Sequence, residues 1–230
     1  MKRFWSDVTV SESDGAFGIE LDGRPVKTPA RAPFAVPTRA LAEAIAGEWR
    51  KSGEEVDPRA MPLTGLANAA IDRVTANRES FAAGLAKYGE SDLTCYRAEG
   101  PDALVQRQAE SWDVLLDWAR RRYDVDFACS TGVMHVAQPD DTVSKLTHAA
   151  AILDPFRLSG LAPLVTIGGS LIAGLAVLEG AIPAESAWES VSLDDRWQAE
   201  QWGADDEATA ALDGRRSDFL AAANFLALLD

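Results

Sequence analysis

The sequence predicts an α+β protein: a small antiparallel sheet plus one helix at the amino terminus, followed by a predominantly helical bundle. Three observations support this. Residues 5–28 alternate in polarity and carry Asp14-Gly15 and Asp22-Gly23, dipeptides suited to tight hairpin turns. From Pro62 onward apolar residues recur with helical period. Apolar residues form 47% of the 230 and charged residues 25%, so a sizeable core can be buried and wholesale disorder is excluded. The change of pattern divides the chain into a mixed α/β domain, residues 1–61, and a helical domain, residues 62–230.

Each element follows from local chemistry. Strands are expected at 5–10, 16–21 and 25–28, and Pro29, Pro33 and Pro37 hold an extended connection around 34–36. Thr38 is placed to cap a helix through Arg50, with Leu41, Ile45 and Trp49 on one face. Helical periodicity resumes through Leu63, Leu66, Ala70, Ile71 and Val74, and again at Phe81, Leu85 and Tyr88. Pro101 opens a further helix lined by Leu104, Val105, Gln108, Trp112, Leu115, Leu116 and Ala119, and Trp112 and Trp118 read as core or groove residues. A β-like interruption is expected at 125–128 and 133–136. Helices then follow at 142–153, through an apolar stretch, at 183–202, and from Asp205 to the end.

The apolar stretch, LSGLAPLVTIGGSLIAGLAVL from Leu158, carries no charge over about the length of a bilayer span. Pro163 and the Gly168-Gly169 pair divide it into pieces too short to cross, and its ends carry no aromatic anchors. It reads as a central helix pair or a broken helix of a bundle, with Ser170 and Gly174 allowing close packing, and no stable membrane insertion is expected.

Charge and composition narrow the function. A net charge of −14 with scattered basic residues argues against a nucleic-acid partner, and the run Arg120-Arg121-Arg122 closes a helix where cations complement the dipole. Cys95 and Cys129 are too few and too separated for a disulfide scaffold or a two-CxxC zinc site. With no signal peptide or presequence at MKRFWSDVTVSESD, a cytoplasmic location is expected. His135 and His148 offer little for a triad or a metal site, and no phosphate-binding or nucleophile-elbow motif occurs. No metal or cofactor is expected.

Acidic pairs at Glu54-Glu55, Asp140-Asp141, Asp194-Asp195 and Asp205-Asp206 mostly adjoin helix starts, where carboxylates cap backbone N–H groups. LDDRWQAEQWGADDE, from Leu193, is richer. At about 100° per residue, Leu193, Trp197 and Glu200 share one face and Trp202 lies nearly opposite. Glu200 on an apolar face requires a basic partner from elsewhere in the bundle or a position lining a groove.

Several segments together resemble one family: RFWSDVTV and LDGRPVKTPA near the start, MPLTGLANAAIDRV from Met61, YGESDLTCYRAEGP from Tyr88, QAESWDVLLDW from Gln108, GVMHVAQP from Gly132, LDPFRLSGL from Leu153 and LDDRWQAEQWG from Leu193. In order and spacing they are similar to the F1-ATPase assembly chaperones of the "ATP twelve" type, which act on the alpha subunit, and the lack of a presequence suits a bacterial homologue. Gly65, Gly89 and Ser91 depart from the family pattern. The resemblance implies a small α/β domain and a helical domain, no enzymatic activity, and protection of the F1-ATPase alpha subunit until the beta subunit replaces the chaperone. It places the family's functionally important glutamate at Glu200. A partner-binding surface of Glu200, Trp197, Trp202, Asp194 and Asp195 is then expected, on a monomer whose client supplies the other surface. The competing expectation is a carboxylate- and metal-dependent hydrolase using Glu200.

Overall fold

The computed structural model describes residues 2–203 and 205–230. It divides into two compact units. One comprises Met1–Arg78, Asp154–Gly160 and Asn224–Asp230; the other comprises Glu79–Leu153 and Leu161–Ala223.

In the first unit, β1 (Val8–Ser13), β2 (Ala16–Leu21), β3 (Arg24–Pro25) and β4 (Ala35–Val36) form an antiparallel sheet in which β2 pairs with the other three. The turns follow from sequence chemistry. Asp14, Gly15, Asp22 and Gly23 all take positive φ, as two-residue turns matched to strand twist require. Register Val8↔Leu21 and Val10↔Ile19 puts Val8, Ile19 and Leu21 on the buried face, against α1 (Arg39–Lys51). Thr38 caps α1 as expected, its side chain accepting from the Leu41 amide. Leu41, Ile45 and Trp49 are buried, and Trp49 meets Trp5 edge to face at 5.2 Å.

Helix α2 (Pro62–Ala69) has no side-chain cap at its own start. Glu48 of α1 supplies one: its two carboxylate oxygens accept from the Leu63 and Thr64 amides, each at 2.8 Å. The helical path then loosens into a π-helical turn at Ala70–Val74 and a 3₁₀ turn at Thr75–Asn77. Sequence periodicity runs on through this stretch and gives no sign of the change.

In the second unit lie α3 (Arg78–Ala86, from Glu79), β5 (Tyr96–Arg97), α4 (Asp102–Tyr123), β6 (Ser130–Thr131), α5 (Asp140–Ala151), the later part of α6 (Pro155–Gly168), α7 (Leu171–Leu178), α8 (Ala184–Val191), α9 (Leu193–Trp202) and most of α10 (Asp206–Ala227). The small sheet plus helical remainder is the predicted class. Helix α7 is its buried centre: Leu171 to Ala176 are all buried, and α4 and α8 pack on it. Gly174 permits close approach to α6, since a Cβ there would lie 2.9 Å from Val165 Cγ2 and 3.0 Å from Leu161 Cδ1.

Three sequence expectations need correction. Pro163 does not break the apolar stretch; α6 passes through it, with Leu158, Leu161, Leu164 and Val165 fully buried. The lost bond is outweighed by packing, and the chain turns instead at Gly169, whose φ of +66° suits glycine. The resulting helices have 14 and 8 residues, and no helix among the described residues is long and apolar enough to cross a membrane. Second, neither 125–128 nor 133–136 forms a strand; the two residues of β6 lie between them and pair parallel with β5. Third, 183–202 is two helices, broken at Ser192, whose hydroxyl donates to the Trp188 carbonyl at 2.6 Å.

The polar start of α7 is held by two side chains. Ser170 accepts from the Ala173 amide at 3.0 Å, and the fully buried Asp92 accepts from the Ile172 amide at 3.0 Å. The other Asp92 oxygen accepts from the Thr94 amide and hydroxyl at 3.1 and 2.8 Å. Burial pushes the Asp92 carboxyl above its ordinary value, against the lowering effect of the Ile172 amide and the Ser170 and Thr94 donors. A carboxyl raised in the folded state binds more protons folded than unfolded. Its contribution is therefore complete below about pH 4 and declines as pH climbs toward the folded value.

Three substitutions test these local assignments. In urea unfolding, Asp92→Asn costs about 1–3 kcal/mol at low pH, and its deficit relative to the native chain shrinks as pH rises from about 4 to 8; a deficit that grows over that range contradicts the assignment. Gly174→Val loses about 1–3 kcal/mol through overpacking. Gly65→Ala, where a Cβ meets nothing within 4 Å, gains up to about 1 kcal/mol.

Candidate functional site

The residues expected at a partner-binding surface lie on α9. Leu193 and Trp197 face inward and are buried, whereas Trp202 is 80% exposed on the opposite side. Gly203 ends the helix at φ +80°, its amide donating to the Ala199 carbonyl. Glu200 lies in the last turn, past the buried stretch of its face, and its side chain is about half exposed.

Of the two expectations for Glu200, the basic partner is the one found, on a side chain that is half exposed rather than buried. Arg107 of α4 donates to Glu200 Oε2 at 2.7 Å, and the same guanidinium lies over the Trp197 ring, 4.7 Å from its centroid. Arg107 thus neutralises the glutamate and covers the indole. Both charged side chains stay half exposed, so the pair contributes about 0–1 kcal/mol to stability. Such a pair can exchange partners at low cost.

The first turn of α9 is fixed by a buried amide. Gln108, on α4, donates from Nε2 to Asp194 Oδ1 at 2.8 Å and accepts at Oε1 from the Ala98 amide at 2.8 Å. One side chain therefore ties α4, α9 and the strand end after β5 together. Nearby, Trp112 Nε1 donates to the Ser190 carbonyl at 2.8 Å, which seats α8 against α4 and fixes where α9 begins.

Beside α9 opens a groove of about 840 Å³. Asp194, Trp197 and Gln198 form one wall, Leu104 and Gln108 of α4 another, and Leu93, Tyr96, Arg97, Gly132 and Val133 the remainder. Val133 and Met134, after β6, are 96% and 76% exposed. The groove is apolar with sparse charge: Arg97 pairs with Asp113 at 2.6 Å, and Glu99 and Asp194 are the acids of its lining.

The structure brings Glu200, Trp197 and Asp194 to one side of α9 and leaves Trp202 apart. Asp195 turns away to Arg215 of α10 at 2.7 Å. The expectation that acidic pairs are caps holds for Asp205, which accepts from the Ala208 amide, but not for Asp194 and Asp195, whose carboxylates bond side chains of other helices. Arg107 escaped sequence reasoning, and Gln108 read only as a member of the α4 stripe. They are adjacent in the α4 pattern, yet nothing local reveals that both meet α9. The Tyr96 hydroxyl hydrogen-bonds His135 Nδ1 at 3.2 Å, and among the described residues no cluster of three or more His, Cys, Asp or Glu is placed to hold a metal.

Comparison with known proteins gives one answer. The family described as ATP12 chaperone protein matches residues 2–120. Protein atp12, mitochondrial, of Schizosaccharomyces pombe is 25% identical over 219 residues, covering 90% of this chain and 75% of that protein. The crystal structure of Atp12 from Paracoccus denitrificans superposes with a TM-score of 0.94 at 43% identity, covering 100% of this chain and 98% of that one. An aspartate-to-lysine mutant of the same protein agrees equally well, with TM-score 0.94 and 43% identity over the same shares of the two chains. The Atu1473 protein of Agrobacterium tumefaciens matches with TM-score 0.95 at 39% identity, over 100% of this chain and 86% of that one. This chain belongs to the ATP12 chaperone family.

Proposed function

We propose that this chain is an assembly chaperone of ATP synthase that binds the F1-ATPase alpha subunit through α9 and the adjoining groove, and protects it until the beta subunit takes its place. The family is one of chaperones rather than enzymes. The observation that carries the reading is the surface of α9: an exposed Trp202, and a half-exposed Glu200 whose intramolecular partner Arg107 also shields Trp197.

A subunit chaperone needs an apolar surface large enough to hold its client but too small to drive self-association. The groove walled by Trp197, Leu104 and Val133, with the exposed Trp202 on the other side of the same helix, meets that requirement. The net charge of −14 steers a basic client surface toward it. Glu200 accepts a charge-assisted bond from the client by exchanging Arg107 for a client cation, and that exchange uncovers the Trp197 ring. Asp194 holds α9 in place through Gln108, and Asp195 through Arg215.

Co-expression of a tagged alpha subunit without its beta partner tests this. The native chain raises soluble alpha and co-purifies with it; Glu200→Lys lowers the captured alpha roughly 10-fold or more, while its own unfolding free energy changes by no more than about 1 kcal/mol. The charge-swapped pair Glu200→Lys with Arg107→Glu restores the internal ion pair yet leaves capture low. Soluble alpha that is indifferent to this chain overturns the reading. Capture restored by the swap shows Glu200 to be a structural residue only.

Trp202→Ala supplies an independent check. Because its ring is exposed, the substitution leaves stability within about 0.5 kcal/mol and weakens alpha capture roughly 10-fold. Unchanged capture removes Trp202 from the interface.

A further inference from the structure

Cys95 and Cys129 are distant in sequence, but the fold sets them opposite each other. Cys95 ends a 3₁₀ turn that leads directly into β5, and Cys129 immediately precedes β6. The parallel register Tyr96↔Ser130 and Arg97↔Thr131 makes the two cysteines the residues that immediately precede the first register pair. Neighbouring strands run about 4.8 Å apart, and disulfides span Cα separations of about 4.4–6.8 Å. The two thiols are close enough to share a hydrogen bond.

Their environments differ in a useful way. Cys129 is exposed and Cys95 is buried. Burial, then the neighbouring Asp92 and Cys129, push the Cys95 thiol up, so Cys95 is inert toward reagents in solution and reacts only with a sulfur delivered beside it. An accessible attacking thiol and a shielded resolving thiol are the two parts that stepwise exchange requires.

We propose that Cys95 and Cys129 form a reversible modification site, closing to an intrachain disulfide by exchange with a small-molecule disulfide of the glutathione class. The Cys129 thiolate attacks one sulfur of that disulfide, forming a mixed disulfide and releasing one thiolate. Cys95 then loses its proton to solvent and attacks the Cys129 sulfur, forming the Cys95–Cys129 bond and releasing the second thiolate. The protein gives up two protons and two electrons, and the small disulfide is reduced to two thiols. Adjacency supplies the high effective concentration that offsets the raised Cys95 thiol. The new bond joins β5 to β6, the strands that lead Tyr96, Arg97 and Gly132 into the wall of the groove, and so fastens that wall.

The test is incubation of the full chain with excess glutathione disulfide at mildly alkaline pH, followed by intact-mass measurement and non-reducing peptide mapping. The expected product is monomeric, lighter by the mass of two hydrogens, with the peptides containing Cys95 and Cys129 linked, and dithiothreitol reverses it. Its thermal midpoint rises by roughly 5 °C or more. Cys129→Ser, at an exposed position, abolishes all modification, whereas Cys95→Ser stops at a glutathione adduct on Cys129. A native chain that stops at that adduct, dimerises through Cys129, or keeps both thiols free overturns the proposal.

Discussion

The second unit depends on one constraint, the burial of a helix that is apolar on every side. Leu171–Leu178 has no polar face to offer water, so its neighbours must enclose it, and its exposed-looking amide end must be satisfied from within. Ser170 and Asp92 meet that second demand. Asp92 is therefore a carboxylate buried for local hydrogen bonding at the cost of its own ionisation. The bond from the Leu93 amide to the Gly169 carbonyl, 3.0 Å, belongs to the same arrangement, and it brings the chain leading into β5 against the start of α7.

From that arrangement the site is assembled outward. α4 and α8 pack on α7, Trp112 locks α4 to α8, and the Ser192 break redirects the chain into α9. Gln108 then pins the first turn of α9, and Arg107, the preceding residue, reaches its last turn. Two adjacent residues of one helix thus do different work: a buried amide that fixes geometry and an exposed guanidinium that can be displaced. A rigid helix presenting a labile ion pair and an uncovered tryptophan suits recognition of a client, since little reorganisation is needed before contact.

Legibility in the sequence follows the range of the interactions. The Asp-Gly hairpins, the Thr38 cap and the opposed directions of Trp197 and Trp202 depend on neighbours within a turn or two, and they read directly. The angle of Glu200 on α9 left open a basic partner or a place lining a groove, and it could not name Arg107, which stands 93 residues earlier. The same holds for Glu48, which caps a helix other than its own, and for β5 and β6, too short to show a pattern. Pro163 misled because a local rule against proline in helices was outweighed by the burial of Leu158, Leu161, Leu164 and Val165 around it. The family resemblance pointed independently to Glu200, the residue that its helical angle had already singled out.

The central claim is that the end of α9 and the groove beside it form the client surface. Hydrogen–deuterium exchange of this chain, alone and bound to the alpha subunit, tests it most directly. The account predicts slowed exchange concentrated in the last turns of α9 and in the segment after β6 that carries Val133 and Met134, with the amino-terminal sheet unchanged. Protection confined to that sheet, or none in α9 while the complex is intact, would contradict it.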